Sequence, residues 1–191
     1  MNIIVNHKRT KVLHDPNKRI YIKEFQPKFS FRLKYFLRLR RYPGKNFKYI
    51  AEKLNYIDIK TPRIIEASNY KVVTEEIEGE LLRDYLKKDK TIIKSYLDLI
   101  VKVLENNIYF GDFNTGNFIV KSGKIYALDL EDYRKEILFL KGRKESLLRL
   151  KKTLNNDEWY EYVERKLETN PPLKKVAFSR LAGSFQSYIN F

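Results

Sequence analysis

The 191-residue sequence has no cysteine and only two histidines, His7 and His14, both near the N-terminus. Disulfides and thiolate metal sites are therefore excluded, and neither a zinc centre nor a Ser-His-Asp triad is expected. Glycine is scarce, with seven in all and none before Gly44, so the first third carries no glycine-rich loop. No run of eighteen apolar residues occurs, so no membrane-spanning helix is expected. The opening MNIIVNHKRT lacks the apolar stretch of a secretion signal. Together with the missing cysteines, this fits a cytosolic protein.

What is present is a foldable and strongly basic chain. Hydrophobic residues make up 43% and aromatics 14%, too many for a disordered protein, and the length suits one domain. Net charge is +15 and unevenly placed. Residues 1–60 hold 16 Lys and Arg against 4 Asp and Glu, whereas the remainder holds 23 against 20. Such asymmetry points to an anionic partner facing the N-terminal third.

The chain reads as α+β. Residues 3–13 and 19–26 alternate as strands around the turn Asp15-Pro16-Asn17. FRLKYFLRLRRY (31–42) is basic and aromatic and is long enough for a helix, broken by Pro43-Gly44. A short helix over 46–56 places Phe47, Ile50 and Leu54 on one face. Strands are expected around Ile64-Ile65 and over 71–74, and helices over 80–88 and 91–107. The latter carries the apolar stripe Ile93, Tyr96, Leu97, Ile100 and Leu104. Further helices are expected near 143–154, 157–168 and 173–189, with Asn170-Pro171-Pro172 stopping the second.

Residues 109–133, YFGDFNTGNFIVKSGKIYALDLEDY, concentrate the chemistry. Two short β-prone runs flank Lys121-Ser122-Gly123-Lys124, which reads as a hairpin. A hairpin brings its ends together, so Asp112, Asn117 and Asp129 converge at one mouth. Such oxygen ligands suit a hard cation such as magnesium.

Strands with one helix, then helices enclosing a polar hairpin, in an order that includes Asp-x4-Asn and a later Asp, resemble the protein-kinase-like fold. The resemblance implies a two-lobed domain over 1–191, with a small β-rich N-lobe (1–78) and a reduced, mostly helical C-lobe (79–191). It implies ATP and Mg2+ as cofactors, with Asp112 as the catalytic aspartate and Asn117 and Asp129 on the metal. Lys23, ending Arg19-Ile-Tyr-Ile-Lys23, matches the phosphate-binding strand lysine, and Glu52 matches its helix partner. Val72 to Gly79, including Glu76 and Glu78, matches the strand entering the hinge whose backbone meets adenine.

The departures are as informative. The turn around His14–Lys18 is left to cover the nucleotide without glycine. Phe110 stands where protein kinases carry histidine, Asn114 where serine/threonine kinases carry lysine, and Asp129-Leu130-Glu131 replaces DFG. No APE-like activation segment follows. Gly111-Asp112 with Asp-Leu-Glu is instead similar to kinases of sugars and small alcohols, where Glu131 would assist with magnesium.

Within that group, GDFNTGNFIV, IYALDLEDYRK and Leu54–Pro62 resemble the lipopolysaccharide core heptose kinases and, more loosely, the Kdo kinases. The likeness implies phosphorylation of a heptose or related hydroxyl of the lipopolysaccharide core or a lipid-linked sugar. Such a protein would be peripheral on the inner face of the inner membrane, held by an anionic membrane surface. FRLKYFLRLRRYPGK interleaves basic and aromatic residues as an interfacial segment would. Two rival readings keep the same residues: a soluble-acceptor kinase of the aminoglycoside or choline type, and a non-catalytic pseudokinase binding an anionic partner. No RNA motif is visible, so no nucleic acid is expected.

Overall fold

A computed structural model describes residues 1–109, 111–135 and 140–169, with 140–144 as backbone only. Phe110 and the expected helix over 173–189 lie outside the described residues.

The N-lobe is a five-stranded antiparallel sheet. Its strands are β1 (Asn2–His7), β2 (Thr10–Asp15), β3 (Ile20–Phe25), β4 (Ile64–Ala67) and β5 (Lys71–Glu75), ordered β1-β2-β3-β5-β4. Residues 3–13, expected as one strand, form two: the chain turns at Lys8-Arg9 and pairs His7 with Thr10. That correction matters, because the register sets Thr10 opposite Phe25 and Val12 opposite Lys23. The Lys8-Arg9 turn thus lies at the Lys23 end of the sheet, whereas 16–19 lies at the other end.

Helix α1 (Phe29–Phe36) ends earlier than the expected 42. Arg38 takes a left-handed φ of 56°, which an α-helix cannot continue through. Helix α2 (Pro43–Tyr56) starts on a proline that needs no N–H there. It buries Phe47, Ile50, Ala51 and Leu54 against the sheet, as the periodicity predicts.

The chain then crosses to the second lobe. β6 (Glu80–Leu81) pairs with the later strand Phe118–Lys121, so the helix expected over 80–88 is α3 (Leu82–Lys88). Helix α4 (Ile93–Glu105) buries Tyr96, Leu97, Ile100, Val101, Val103 and Leu104, a stripe that carries the lobe's core. β7 (Ile108–Tyr109) leads into the polar segment. β8 (Phe118–Lys121) and β9 (Lys124–Ala127) form the expected hairpin, and β10 (Arg134–Lys135) pairs back on β7. Helices α5 (Leu140–Leu154) and α6 (Asp157–Thr169) complete the described chain, with Val163 and Leu167 buried. No helix among the described residues is long and apolar enough to cross a membrane.

Candidate active site

Three backbone and side-chain bonds close the mouth of the hairpin. Asn114 caps a single 3-10 turn (Thr115–Asn117), its Oδ1 accepting from Gly116 N at 2.8 Å. That turn aims Asn117 back at the preceding loop, where its Nδ2 donates to the Asp112 carbonyl at 3.2 Å. Leu128 N donates to the Asn117 carbonyl at 3.0 Å, which sets Asp129 beside it. Asp112, Asn117 and Asp129 are therefore brought together, as the spacing predicts.

Asp112 itself is exposed, with its Oδ1 accepting from Asn114 N at 3.1 Å. Its loop is held from below. The Tyr96 hydroxyl donates to the Phe113 carbonyl, and the Phe113 and Tyr133 rings meet edge to face at 5.7 Å. Burial, with a further push from Asp112, raises the Tyr96 hydroxyl far above its ordinary range, so it stays a donor. Tyr133 also explains Gly111: a Cβ there would lie 2.3 Å from the Tyr133 ring. The glycine before Asp112 is a packing requirement, which the sequence alone does not state.

Lys23 reaches into this mouth from β3. Its Nζ pairs with Asp129 and, at 2.6 Å, with Glu131 Oε1. This corrects the expected partner. Glu52 is exposed on α2, and among the described residues no ion pair joins it to Lys23. The α2 residue that faces the site is Asn46, buried, whose Nδ2 donates to the carbonyls of Glu131 (3.0 Å) and Tyr133 (2.9 Å).

The electrostatics of the triad are asymmetric. Burial alone would lower the Lys23 pKa, but Glu131 and Asp129 outweigh it and hold the ammonium above its ordinary value. Burial also works against the Asp129 carboxylate, yet hydrogen bonds from Glu131 and Lys23 keep it ionised and below its usual range. Glu131 bears the cost: burial first, then the Asp129 carboxylate beside it, pushes it up to about 8. At neutral pH the trio is an ammonium, a carboxylate and a carboxylic acid, nearly neutral overall.

That arrangement fits a divalent cation. Glu131 Oε2 is buried without a hydrogen-bond partner, a polar atom that needs a ligand. Asp129 and Glu131 would be the residues to hold the cation, Glu131 giving up its proton. Among the described residues no three carboxylate or imidazole side chains cluster as a self-sufficient metal cage. Few protein ligands is what magnesium uses when phosphates and waters supply the rest.

The hinge-side glutamates lie at the far end of β3. Glu76 Oε1 is 3.2 Å from His14 Nε2, and His14 stacks on Tyr21 at 4.5 Å. Glu78 pairs with Arg19. Their side chains are thus engaged with the β2–β3 edge. Among the described residues the N–H groups of Ile77 and Glu78 have no hydrogen-bond partner. Sequence reading missed Asn46 and the Lys8-Arg9 turn. Arg9 and Thr10 line a small cavity with Phe25 and Glu131, at the Lys23 end of the sheet.

No family model matches the sequence. Over 96 residues it is 29% identical to the EKC/KEOPS complex subunit BUD32 of Enterocytozoon bieneusi, covering 42% of this chain and 47% of that protein. Over 110 residues it is 29% identical to the alanine--tRNA ligase of Wigglesworthia glossinidia brevipalpis, covering 56% of this chain but 12% of the ligase. The chain thus spans about half or less of the curated relatives it matches. BUD32 is a kinase-like protein, and the likeness agrees with the architecture described above. The fold is α+β and kinase-like, a five-stranded antiparallel lobe followed by a mostly helical one.

Proposed function

We propose that the protein is an ATP-dependent, magnesium-requiring phosphotransferase acting on a hydroxyl. The observation that carries this reading is the junction of Lys23, Asp129 and Glu131 with the loop presenting Asp112, tied through Asn117. Asp112 is open to an incoming acceptor, whose hydroxyl proton it would take as the acceptor oxygen bonds to the γ-phosphorus and the bond to the β–γ bridging oxygen breaks, releasing ADP. Lys23 would move from its two carboxylates to the nucleotide phosphates. Asp129, Asn117 and Glu131 would hold magnesium, which supplies charge neutralisation at the transferring phosphoryl. The Lys8-Arg9 turn would close over the phosphates with charge where other kinases use glycine backbone.

The finer reading is that the acceptor is a heptose or Kdo-like sugar of the lipopolysaccharide inner core. It rests on the GDFNTGNFIV and IYALDLEDYRK likenesses and on the basic face. Exposed Phe29, Phe36 and Leu39, at 81%, 77% and 74% exposure beside Arg38 and Lys34, suit an anionic membrane surface on the cytoplasmic side. Mass spectrometry of lipopolysaccharide from a deletion strain tests it: loss of one phosphate is expected, and an unchanged phosphate count would remove this substrate.

A second reading follows from the similarity to BUD32, a subunit of a multiprotein complex by its name. On that reading the same site works within an assembly. Affinity purification of the tagged chain from its own host would return a stoichiometric protein partner.

A further inference from the structure

Beside the proposed phosphotransfer site lies a cavity of about 890 Å3 whose lining includes none of Lys23, Asp112, Asn117, Asp129 and Glu131. Its walls are the α1–α2 arm, the segment that follows Glu131, and α5. Among the described residues, six basic residues line it against two acidic ones. Their state is what singles the cavity out. Among the described residues, Lys34 and Arg41 have no carboxylate partner. Lys34 lies over the Phe31 ring at 5.6 Å and Arg41 over Tyr49 at 4.1 Å. Arg40 reaches Asp132 only at 3.6 Å, and that carboxylate is 66% exposed.

Arg134, on the opposite wall, is spent on the carbonyls of Glu131 and Tyr133 and also faces Asp132, at 3.8 Å. Guanidinium groups poised on aromatic faces present their N–H edges to a ligand in a fixed plane, the geometry that suits the paired oxygens of a phosphate. A smaller cavity shares Phe31, Arg40 and Asp132 with this one and ends on Glu131, so the basic cavity adjoins the metal end of the active site.

We propose that this cavity is a binding site for a phosphate monoester, gripped by Lys34, Arg40 and Arg41, on the acceptor or beside it. A compact dianion matches the cavity's excess of positive charge, and the apolar lip of Phe31, Leu39 and Leu148 accepts the group that carries the ester. The site joins α1–α2 to the segment carrying Glu131 and Tyr133, so its occupant orders the metal-binding end. In the context of the phosphotransferase reading, a phosphate monoester carried on the acceptor makes that acceptor an anionic molecule. The anion site itself stands on the cavity alone and does not need that reading.

The test uses the full chain without nucleotide. Isothermal titration with inorganic phosphate and glucose 6-phosphate, against glucose as the neutral control, is expected to show saturable binding of the two phosphates only. The double variant Lys34→Gln with Arg41→Gln should weaken it about tenfold or more, because each charge-assisted bond carries that order of affinity. Magnesium-ATP binding by the same variant should be unchanged, which separates this site from the phosphotransfer site. Vesicles containing phosphatidic acid, whose headgroup is a phosphate monoester, distinguish a lipid source: soluble glucose 6-phosphate displaces the protein from them if the headgroup enters the same cavity. Binding of neither soluble phosphate nor phosphatidic acid vesicles at low salt would overturn the proposal. So would undiminished binding by the double variant.

Discussion

Asn46 of α2 hangs on the backbone of Glu131, donating to its carbonyl at 3.0 Å across 85 residues of chain. The same amide reaches the buried Tyr133 carbonyl, and Arg134 donates to both of those oxygens. The helix of the N-lobe thus positions the segment from Glu131 to Tyr133 by bonding to its carbonyls, where the expected lysine–glutamate pair would have used charge.

Asn46→Ala removes two donors but leaves Arg134 on both carbonyls. The expected loss is about 1–3 kcal/mol, two hydrogen bonds at about 0.5–1.5 kcal/mol each. A melting temperature lower by several degrees, together with weaker magnesium-ATP binding, is the expected result. An unchanged melting temperature would show that Arg134 alone holds the segment.

Asp112→Asn preserves the size and the loop hydrogen bond but loses the basic oxygen. Turnover should fall about 10²–10⁴-fold, the usual worth of a general base. Nucleotide affinity should barely move, because Asp112 is exposed and makes no ion pair with Lys23. Turnover at the wild-type rate would take Asp112 out of the mechanism.

Glu131 predicts an unusual pH dependence for the metal-free protein. Its folded pKa of about 8 stands above the ordinary 4.5, so between these values the folded state holds more protons than the unfolded one. Stability should therefore fall as pH rises from about 5 to about 8. Asp129, shifted down, loses its contribution only below its ordinary 3.8, and Lys23, shifted up, only above 10.5, so neither intrudes on that window. Urea midpoints in EDTA across pH 5–8 would measure it. Glu131→Gln should flatten the wild-type slope, and an equal slope in both proteins would reassign the proton.

Much of this site was legible because its residues are close in sequence. Asp112, Asn117 and Asp129 sit on one hairpin, and a hairpin's ends meet whatever surrounds them. Lys23 was legible because a lysine ending an apolar strand has one face to offer. Glu52 misled because it was the only acidic residue between Glu24 and Asp58, and charge pairing was assumed to be the link. Local pattern cannot show that the inward position of α2 is Asn46, since an asparagine bonding to backbone needs no complementary residue type. The Lys8-Arg9 turn was hidden for a similar reason. It lacks glycine, proline, asparagine and aspartate, so nothing in its composition marks it as a turn.

The α1 segment separates a membrane-surface enzyme from one with a freely soluble acceptor. Phe29 and Phe36 are 81% and 77% exposed at the two ends of an eight-residue helix, with Arg32 and Lys34 between them. Burying an aromatic side chain of this size is worth about 1.5–3 kcal/mol, so two should decide whether the protein partitions onto vesicles. Phe29→Ser with Phe36→Ser is expected to cut binding to anionic vesicles by well over tenfold. Folding should be retained, because neither ring contributes to the core. Wild-type binding should also weaken as salt rises, since the screening length shrinks from about 10 Å at 0.1 M to about 3 Å at 1 M. Vesicle flotation reads both effects. A wild-type protein that ignores anionic vesicles at low salt would mean a soluble acceptor, with Lys23, Asp112 and Asp129 left in their roles.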